Sequence, residues 1–372
     1  MRLAWRNLSH DRLRFAVTIA GVAFAVFLMV FQGSLLAGFV RVSSSVIDAT
    51  DADLWITARG VPCFDFPAPL PSRFRELSMN VTGVKSVERI AAGITSWQKP
   101  SGVWQTIIIV GADPGVGHAF PLPYLNGKTD LVFPETVLVD NSNFDALGLT
   151  TTPVDVEIGR RRARVAGAVS GFGSFIGSPY VFTSYNDAVR YLDFSPEETT
   201  FLLVRVAPGN NVQVVQQDLK ARLPEADVWT RAEFARRARL YWVIKTGAGG
   251  ALLTAALLGS IVGAVIVSQT IYATTMESLE EFATLKAMGA SRWYIRRVVL
   301  IQALVSSVVG CAIGLAVTFP SVKVVRGSIP WVYTPWWLPA GMILVSLLMC
   351  SLASTVSIRK AIQVEPGRVF RA

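Results

Sequence analysis

The chain has 372 residues, of which 52% are hydrophobic and only 16% are charged, whereas an average soluble domain carries roughly a quarter charged residues. Its net charge is +9, and the excess of basic residues lies beside the apolar runs, because residues 41–246 contain equal numbers of basic and acidic side chains. This pattern is typical of a membrane protein and argues against nucleic-acid binding. Three cysteines without a CxxC motif and two histidines argue against a disulfide framework and a metal site.

The first long uncharged run lies at residues 16–40, and the segment before it, residues 1–15, contains four arginines. About 20 apolar residues are enough for a helix to cross the hydrocarbon core of a membrane. A secretory signal peptide is the alternative, but its apolar core is usually about 7–15 residues long. We therefore predict an uncleaved transmembrane helix at residues 16–40.

Residues 41–245 contain short segments with alternating apolar and polar residues, which predict β-strands, and amphipathic segments, which predict helices. TVLVD at 136–140 is a clear strand signal. The segments VDVEIG at 154–159 and RRARVAGAV at 161–169 predict a hairpin. The section is therefore expected to fold as a mixed α+β domain.

Two glycine motifs in this section are weak candidates for a phosphate-binding loop. NGKT at 126–129 lacks the first glycine of a P-loop, and GFGSFIG at 171–177 precedes a strand instead of a helix. Phe172 and Phe175 in the second motif could contact a partner or substrate, or pack against the domain itself. No Ser/His/Asp or Cys/His arrangement is evident, so we predict no catalytic and no metal-binding residues.

Three further apolar runs predict transmembrane helices at residues 246–276, 298–322 and 336–358. The second and third spans contain no ionisable residue, which argues against an ion-coupled carrier. Each of them contains a GxxxG motif, formed by Gly259 and Gly263, and by Gly310 and Gly314. Such motifs favour close packing between these two helices or across a dimer, although glycine is also simply common in membrane helices.

The basic residues predict the orientation of the chain, because Lys and Arg in short loops favour the cytoplasm. They cluster before the first span, between the second and third, and after the fourth. We therefore predict an N-in, C-in membrane protein with residues 41–245 outside. Its other predicted segments are the cytoplasmic N-terminal residues 1–15, a cytoplasmic connection at 277–297, a short outer loop at 323–335 and a cytoplasmic tail at 359–372.

The connection at residues 277–297 has the pattern of a helix followed by a turn. Over Met276–Met288 the acidic residues fall on one helical face and the apolar residues on the other. Gly289 fits the left-handed position after a helix, and Ser291 fits the N-cap of the next one. An acidic and apolar helix suits a groove on a cytosolic protein, whereas helices that lie on lipid are usually rich in Lys and Arg.

The stretch EEFATLKAMGASRWYIRRVVLIQALVSSVVGCAIG resembles the signature of the MacB/FtsX-type ABC transporter permeases, with its glutamate, its L-[KR]-A-x-G-[AM]-[ST] turn and its arginine-rich entry into the third span. The predicted layout of one span, a large outer domain and three further spans is similar to theirs. LAWRNLSHDRLRFAVTIAGVAFA and VLVDNSNFDALGL also resemble the corresponding segments of the family. Within it, the sequence is most similar to the DevC-like exporter permeases.

The resemblance implies that two permeases pair with two cytosolic ATPase subunits through a coupling helix at about Met276–Met288. The chain contains no Walker A motif, so the ATPase, with its ATP and Mg²⁺, is expected to be a separate polypeptide, and this chain is expected to bind no cofactor. DevC-like systems add a membrane-fusion protein and an outer-membrane channel. The residues implied to contact the ATPase or form the turn are Glu277, Glu280, Glu281, Phe282, Leu285, Lys286, Met288, Gly289 and Ser291.

The expected function is that of a non-catalytic permease subunit of an exporter in the inner membrane. The alternative is an FtsX-like scaffold that relays ATPase cycling to a cell-wall hydrolase and transports no cargo. The length of residues 41–245 favours the exporter, because FtsX-type outer domains are usually shorter. A membrane-anchored enzyme is disfavoured, since no catalytic arrangement is evident in the sequence.

Overall fold

The computed structural model describes residues 12–113, 133–195, 197–277, 284 and 288–363. The chain divides into two compact units, which we call the helical unit (Met1–Gly38 and Ala248–Ala372) and the sheet unit (Phe39–Gly247). The sheet unit is thus inserted between the first helix and the remaining helices of the chain.

Four helices within the described residues are long and apolar enough to span a membrane, as the sequence predicts. They extend beyond the uncharged runs at most of their ends, because the intrahelical hydrogen bonds continue into polar flanking residues. A helix of 31 residues measures about 46 Å, which exceeds the roughly 30 Å hydrocarbon core. The four helices are α1 (Arg12–Val42), α8 (Gly247–Glu277), α9 (Arg292–Val325) and α10 (Trp337–Gln363).

Helix α1 supplies much of the interior of the helical unit. Its residues Val22, Val26 and Met29 are buried in one apolar cluster that also includes residues of α8, α9 and α10. Helix α8 is the least buried of the four candidate spans. Its exposed apolar side chains are available to lipid or to another polypeptide.

The sheet unit is built on a nine-stranded sheet with the order β11-β1-β10-β3-β4-β8-β5-β7-β6. Most neighbouring strands are antiparallel, but β4 pairs with β8, and β5 with β7, in parallel. The strands are β1 (Leu54–Ala58), β2 (Leu70–Pro71), β3 (Val84–Gln98), β4 (Trp104–Ala112), β5 (Thr136–Asp140), β6 (Val154–Ile158), β7 (Arg161–Val169), β8 (Tyr180–Ser184), β9 (Glu198–Thr199), β10 (Phe201–Val206) and β11 (Ala226–Thr230). The predicted hairpin at 154–169 is confirmed as β6–β7.

The long strand β3 belongs to two parts of the sheet. Its first half pairs with β10, and its last residues, Trp97 and Gln98, also pair with β6 at the far end of the strand order. Six strands therefore close into a ring around an apolar core that includes Trp97, Ile109 and Val139. The open half of the sheet has a second core that includes Ile56, Leu202 and Val228. The described helices of the sheet unit are α2 (Ser45–Asp48), α3 (Arg73–Met79), α4 (Phe144–Leu147), α5 (Tyr185–Leu192), α6 (Val212–Arg222) and α7 (Arg231–Leu240).

The aromatic residues of the 171–177 motif pack against the sheet unit. Phe172 is 2% exposed, and its ring lies 4.7 Å from that of Phe182. The ring of Phe175 lies 4.7 Å from Phe39 and 4.6 Å from Trp242. Of the two interpretations left open for these phenylalanines, packing within the domain agrees with the structure. The NGKT motif lies outside the described residues.

Candidate functional site

The connection between α8 and α9 contains a helical turn that ends just before a chain reversal. Of residues 278–291, the structure describes Thr284 and Met288–Ser291. The backbone N–H of Met288 donates to the carbonyl oxygen of Thr284 at 3.0 Å, which is the i to i−4 hydrogen bond of an α-helix. Glu280, Glu281, Phe282, Leu285 and Lys286 lie outside the described residues.

Gly289 and Ser291 form the reversal. Gly289 has φ of +91°, a left-handed conformation that glycine adopts without the steric cost of a Cβ atom. The Ser291 hydroxyl oxygen accepts a hydrogen bond from the backbone N–H of Tyr294 at 3.2 Å, and therefore caps α9. The two residues thus hold the local positions that the sequence predicts for them.

Among the described residues near this reversal, the exposed side chains include large apolar groups, a cation and an acid. The side chains of Met288 and Trp293 are 72% and 68% exposed, and Tyr294 is also exposed. The guanidinium group of Arg297 lies 5.7 Å from the centre of the Trp293 ring, within range of a cation–π contact. Glu277, the last residue of α8, is exposed as well. Side chains of this kind can contact lipid headgroups or a protein partner.

The two GxxxG motifs both face α1. A Cβ atom added at Gly310 would lie 2.7 Å from Cβ of Val22, which leaves no room for it. Added at Gly263, it would lie 3.3 Å from Cγ of Met29. Within the helical unit both motifs thus contact the first span, whereas the sequence suggested packing between the second and third spans or across a dimer, and the dimer alternative remains a prediction. The nearest atoms to Gly259 and Gly314 also belong to α1.

A buried carboxylate lies where the sheet unit leads into α8. Asp65 accepts hydrogen bonds from the hydroxyl of Tyr180 and from the indole Nε1 of Trp242, the latter at 2.9 Å. Burial raises the pKa of Asp65 above its ordinary value, although these two hydrogen bonds oppose the rise. Burial, together with the charge of Asp65, also raises the pKa of the Cys63 thiol to about 12. Asp65 therefore joins β8 to the segment just before the second span.

This segment, Tyr241–Lys245, is a π-helical turn that directly precedes α8. Within it Trp242 is buried, and its ring packs against Phe66 at 5.6 Å and Phe175 at 4.6 Å. Short π-helical turns are often found at functional sites, because they reorient the side chains that follow them. The aromatic contacts fix the position of this turn within the sheet unit.

A second contact joins the two ends of the sheet unit. The guanidinium group of Arg239 in α7 donates to a carboxylate oxygen of Asp48 at 2.6 Å and to the hydroxyl of Ser44 at 2.8 Å. Ser44 and Asp48 come shortly after α1, and Arg239 comes shortly before α8. The segments that enter and leave the sheet unit are therefore held together by a charged hydrogen-bond pair.

The sequence analysis did not identify Asp65 or Arg239. Residues 62–72 are rich in proline and predict only a loop. A single acid among aromatic residues, in the order Cys63-Phe64-Asp65-Phe66, was an available signal. A buried carboxylate needs hydrogen-bond donors, and aromatic neighbours exclude water from it.

Comparison with known proteins places both units in one family. The family model described as FtsX-like permease C-terminal matches residues 253–366, and that of the MacB-like periplasmic core domain matches residues 15–222, more than half of the chain. Over 130 residues the chain is 23% identical to the ABC transporter permease YtrF of Bacillus subtilis, a match that covers 32% of this chain and 29% of that protein. The matched part thus spans less than a third of that relative.

Two solved structures are similar to part of this chain. The periplasmic region of MacB from Actinobacillus actinomycetemcomitans is 14% identical, with a TM-score of 0.40, over 51% of this chain and 94% of that one. The extracellular domain of the noncanonic ABC-type transporter YknZ from Gram-positive bacteria is 14% identical, with a TM-score of 0.38, over 48% of this chain and 99% of that one. On the family matches, this chain belongs to the MacB/FtsX-type ABC transporter permeases, multi-pass proteins of the inner (plasma) membrane, and carries a MacB-like periplasmic domain between its first and second spanning helices.

Proposed function

We propose that this chain is the permease subunit of an ABC-type export complex, in which a separate cytosolic ATPase drives movements of the periplasmic domain that expel cargo. In this proposal ATP and Mg²⁺ are bound by the ATPase, and this chain is a non-catalytic subunit. The main observation that supports this proposal is the chain reversal between α8 and α9, where a helical turn ends at Met288 and Ser291 caps α9. A partner that displaces this reversal acts on two spanning helices at once.

The proposal requires an N-in, C-in orientation, with residues 277–297 in the cytosol. Basic residues flank the reversal as they flank the N-terminal segment and the C-terminal tail. Such residues are retained on the cytoplasmic side of bacterial membrane proteins. The family match supports the same arrangement, since an ABC permease must present a surface to its cytosolic ATPase.

The exposed side chains at the reversal suit a shallow groove on a partner. Met288 and Trp293 are the large apolar groups, and Arg297 adds a positive charge beside Trp293. Helix-in-groove docking uses an apolar face of this kind, and tryptophan and arginine are enriched among residues that dominate binding energy. The acidic residues that precede Thr284 in the sequence would add complementary charge to a basic groove.

Displacement of the reversal can reach the periplasmic domain through α8. This helix is continuous from Gly247 to Glu277, and the Tyr241–Lys245 segment immediately before it is bound to the sheet unit through Trp242 and Asp65. A continuous helix with an anchored end transmits motion as a rigid element. We propose that the ATPase cycle uses this route.

The complete assembly is proposed to contain two copies of the permease, two ATPase subunits, a membrane-fusion protein and an outer-membrane channel, as in DevC-like exporters. Helix α8 carries exposed apolar residues such as Leu257, Ile261 and Val265, which lipid or a second permease can cover. Membrane lipids are therefore expected around the spans, and no nucleic-acid partner is proposed.

Replacing Met288 with Asp tests the coupling role. It puts a charge at the centre of the proposed contact and is expected to lower co-purification with the ATPase at least tenfold, since a desolvated unpaired charge costs more than about 1.4 kcal/mol. Glu281→Lys is expected to act in the same direction by reversing a charge. Met79→Asp, at an exposed methionine of the periplasmic domain, is the matched control. Unchanged ATPase binding by both Met288→Asp and Glu281→Lys would count decisively against the proposal.

Cross-linking of the complex in its native membrane separates an exporter from the alternative FtsX-like scaffold. For an exporter, mass spectrometry should find cross-links between the periplasmic domain and a membrane-fusion protein. A signalling scaffold should instead give cross-links to a cell-wall hydrolase or its activator. Cross-links of the second kind alone would replace the export function with the signalling one, and would leave the coupling role of the reversal intact.

A further inference from the structure

A groove of about 470 Å³ lies in the sheet unit beside α7 and the Tyr241–Lys245 segment. Pockets for small ligands usually measure about 300–1,000 Å³, so the groove is large enough for part of a lipid-sized molecule. Lys245, one of the residues that line it, is two residues before Gly247, where α8 begins. The groove is therefore close in the chain to the point where the second span enters the membrane.

Exposed apolar side chains belong to the lining of the groove. Leu240 and Ile244 are 51% and 63% exposed, and they line the groove together with the ring of Trp229. Arg236 and Leu240 are four residues apart in α7, so they lie on the same helical face. Large aliphatic side chains that remain exposed to solvent are suited to contact with alkyl chains.

Cationic residues also belong to the lining of the groove. Arg236, Arg237 and Lys245 line it, and the guanidinium carbon of Arg237 lies 4.8 Å from the centre of the Trp229 ring. The aromatic ring thereby holds this guanidinium group in place. Three cationic side chains in the lining of one groove favour an anionic ligand, because each of them attracts a negative charge.

Glu233, the one acidic residue among those that line the groove, already accepts hydrogen bonds from other groups of the protein. Its carboxylate accepts hydrogen bonds from the side-chain Nε2 of Gln216 and the backbone N–H of Thr230, each at 2.8 Å. Burial opposes ionisation, but these hydrogen bonds prevail and lower the pKa of Glu233. The carboxylate is therefore held in the capping box of α7 and does not pair with Arg236 or Lys245 within the described contacts.

We propose that this groove binds an anionic amphiphile, a molecule with a phosphate or carboxylate head and an alkyl chain. The head lies among Arg236, Arg237 and Lys245, and the first part of the chain lies along Leu240 and Ile244. Inorganic phosphate would use only the cationic side chains, and an uncharged lipid only the apolar ones. The presence of both kinds of side chain in the lining of one groove therefore identifies the ligand class. The proposal does not depend on the coupling role of the reversal.

The test is a binding measurement on the full-length protein, purified in a neutral maltoside detergent, by native mass spectrometry. The probes are dihexanoyl phosphatidylglycerol, dihexanoyl phosphatidylcholine and inorganic phosphate. The first two have the same chains and differ in net charge. Phosphatidylglycerol is expected to bind about tenfold more tightly than phosphatidylcholine, which corresponds to one charge-assisted hydrogen bond. Equal binding of the two lipids would overturn the proposal.

Matched variants connect this binding to the groove. Arg237→Gln and Lys245→Gln should each weaken phosphatidylglycerol binding about tenfold, whereas Arg222→Gln, at an exposed arginine of α6, should not. Lys245 is exposed, so its variant remains informative if Arg237→Gln is unstable. Leu240→Ser should weaken binding of both lipids, whereas Val214→Ser, at an equally exposed site, should leave it unchanged.

Three outcomes would contradict the proposal. Equal effects of Arg237→Gln, Lys245→Gln and the Arg222→Gln control would show that binding is spread over the surface. Phosphate binding as tight as that of phosphatidylglycerol, with no effect of Leu240→Ser, would show a plain anion site. No measurable binding of any probe would exclude the site altogether. Because no ATPase is present in the assay, each outcome is independent of the export proposal.

Discussion

The indole Nε1 of Trp242 donates a hydrogen bond to the Asp65 carboxylate at 2.9 Å, although the two residues are 177 positions apart in the chain. The contact joins a proline-rich loop to the turn that precedes α8. Trp242→Phe keeps most of the ring packing and removes the donor, so the buried carboxylate retains Tyr180 as its remaining side-chain donor. Loss of the hydrogen bond from Trp242 is expected to lower the free energy of unfolding by about 1–3 kcal/mol.

For a domain of this size, each kcal/mol corresponds to a change in melting temperature of about 2–4 °C. Thermal unfolding of the full-length protein can be followed with a thiol-reactive dye, because Cys63 is buried in the folded domain. Trp104→Phe, at an exposed tryptophan of β4, is the matched control. Equal melting temperatures of the two variants would mean that the hydrogen bond does not contribute to stability.

A second prediction concerns the pH dependence of stability. Burial raises the pKa of Asp65 in the folded protein above the ordinary value of 3.8. The folded state therefore binds this proton more tightly than the unfolded state. The stabilisation that this pKa difference gives to the folded state is fully present below pH 3.8. It is lost as the pH rises through the pKa of Asp65 in the folded protein. Wild type should thus gain stability relative to Asp65→Asn as the pH is lowered from neutrality.

The neighbouring groups do not obscure this effect. Burial raises the pKa of Cys63 to about 12 and that of Tyr180 well above its ordinary value, so both remain neutral across the acidic range. The measurement is the difference in melting temperature between wild type and Asp65→Asn at several pH values. A constant difference would show that Asp65 has the same pKa in the folded and unfolded states.

The close contact of Gly310 with α1 gives a third prediction. The methyl group of Gly310→Ala would lie 2.7 Å from Cβ of Val22, so the helices must move apart. Overpacking of this kind typically costs about 1–3 kcal/mol. Gly341→Ala is the control, because a Cβ atom at this position in α10 has no neighbour within 4 Å. The thermal stability of both variants in detergent checks the prediction, and equal values would contradict it.

The features that could be predicted from sequence are those set by nearby residues. The four spans follow from local hydrophobicity, and the β6–β7 hairpin follows from alternation on both sides of a short turn. The cap at Ser291 is local in the same way. The pairing of Trp97 with Ile158, the contact of Gly310 with Val22 and the bond from Trp242 to Asp65 depend on how distant segments meet. A single sequence contains no direct signal for contacts between residues that are far apart in the chain.

The fourth prediction tests the side of the membrane on which the reversal lies. Thr284→Cys places a thiol in the exposed helical turn, and Val214→Cys places one on the surface of the periplasmic domain. The three native cysteines are buried, and the pKa of Cys63 is raised to about 12, so background labelling is expected to be low.

A membrane-impermeant maleimide added to intact spheroplasts should label the cysteine at position 214 and should label position 284 only after permeabilisation. Labelling at position 284 in sealed cells would place the reversal on the same side as the sheet unit. A cytosolic ATPase could not then reach Met288 or Trp293. In that case the apolar and cationic surface around Arg297 would have to be explained by headgroup contacts alone.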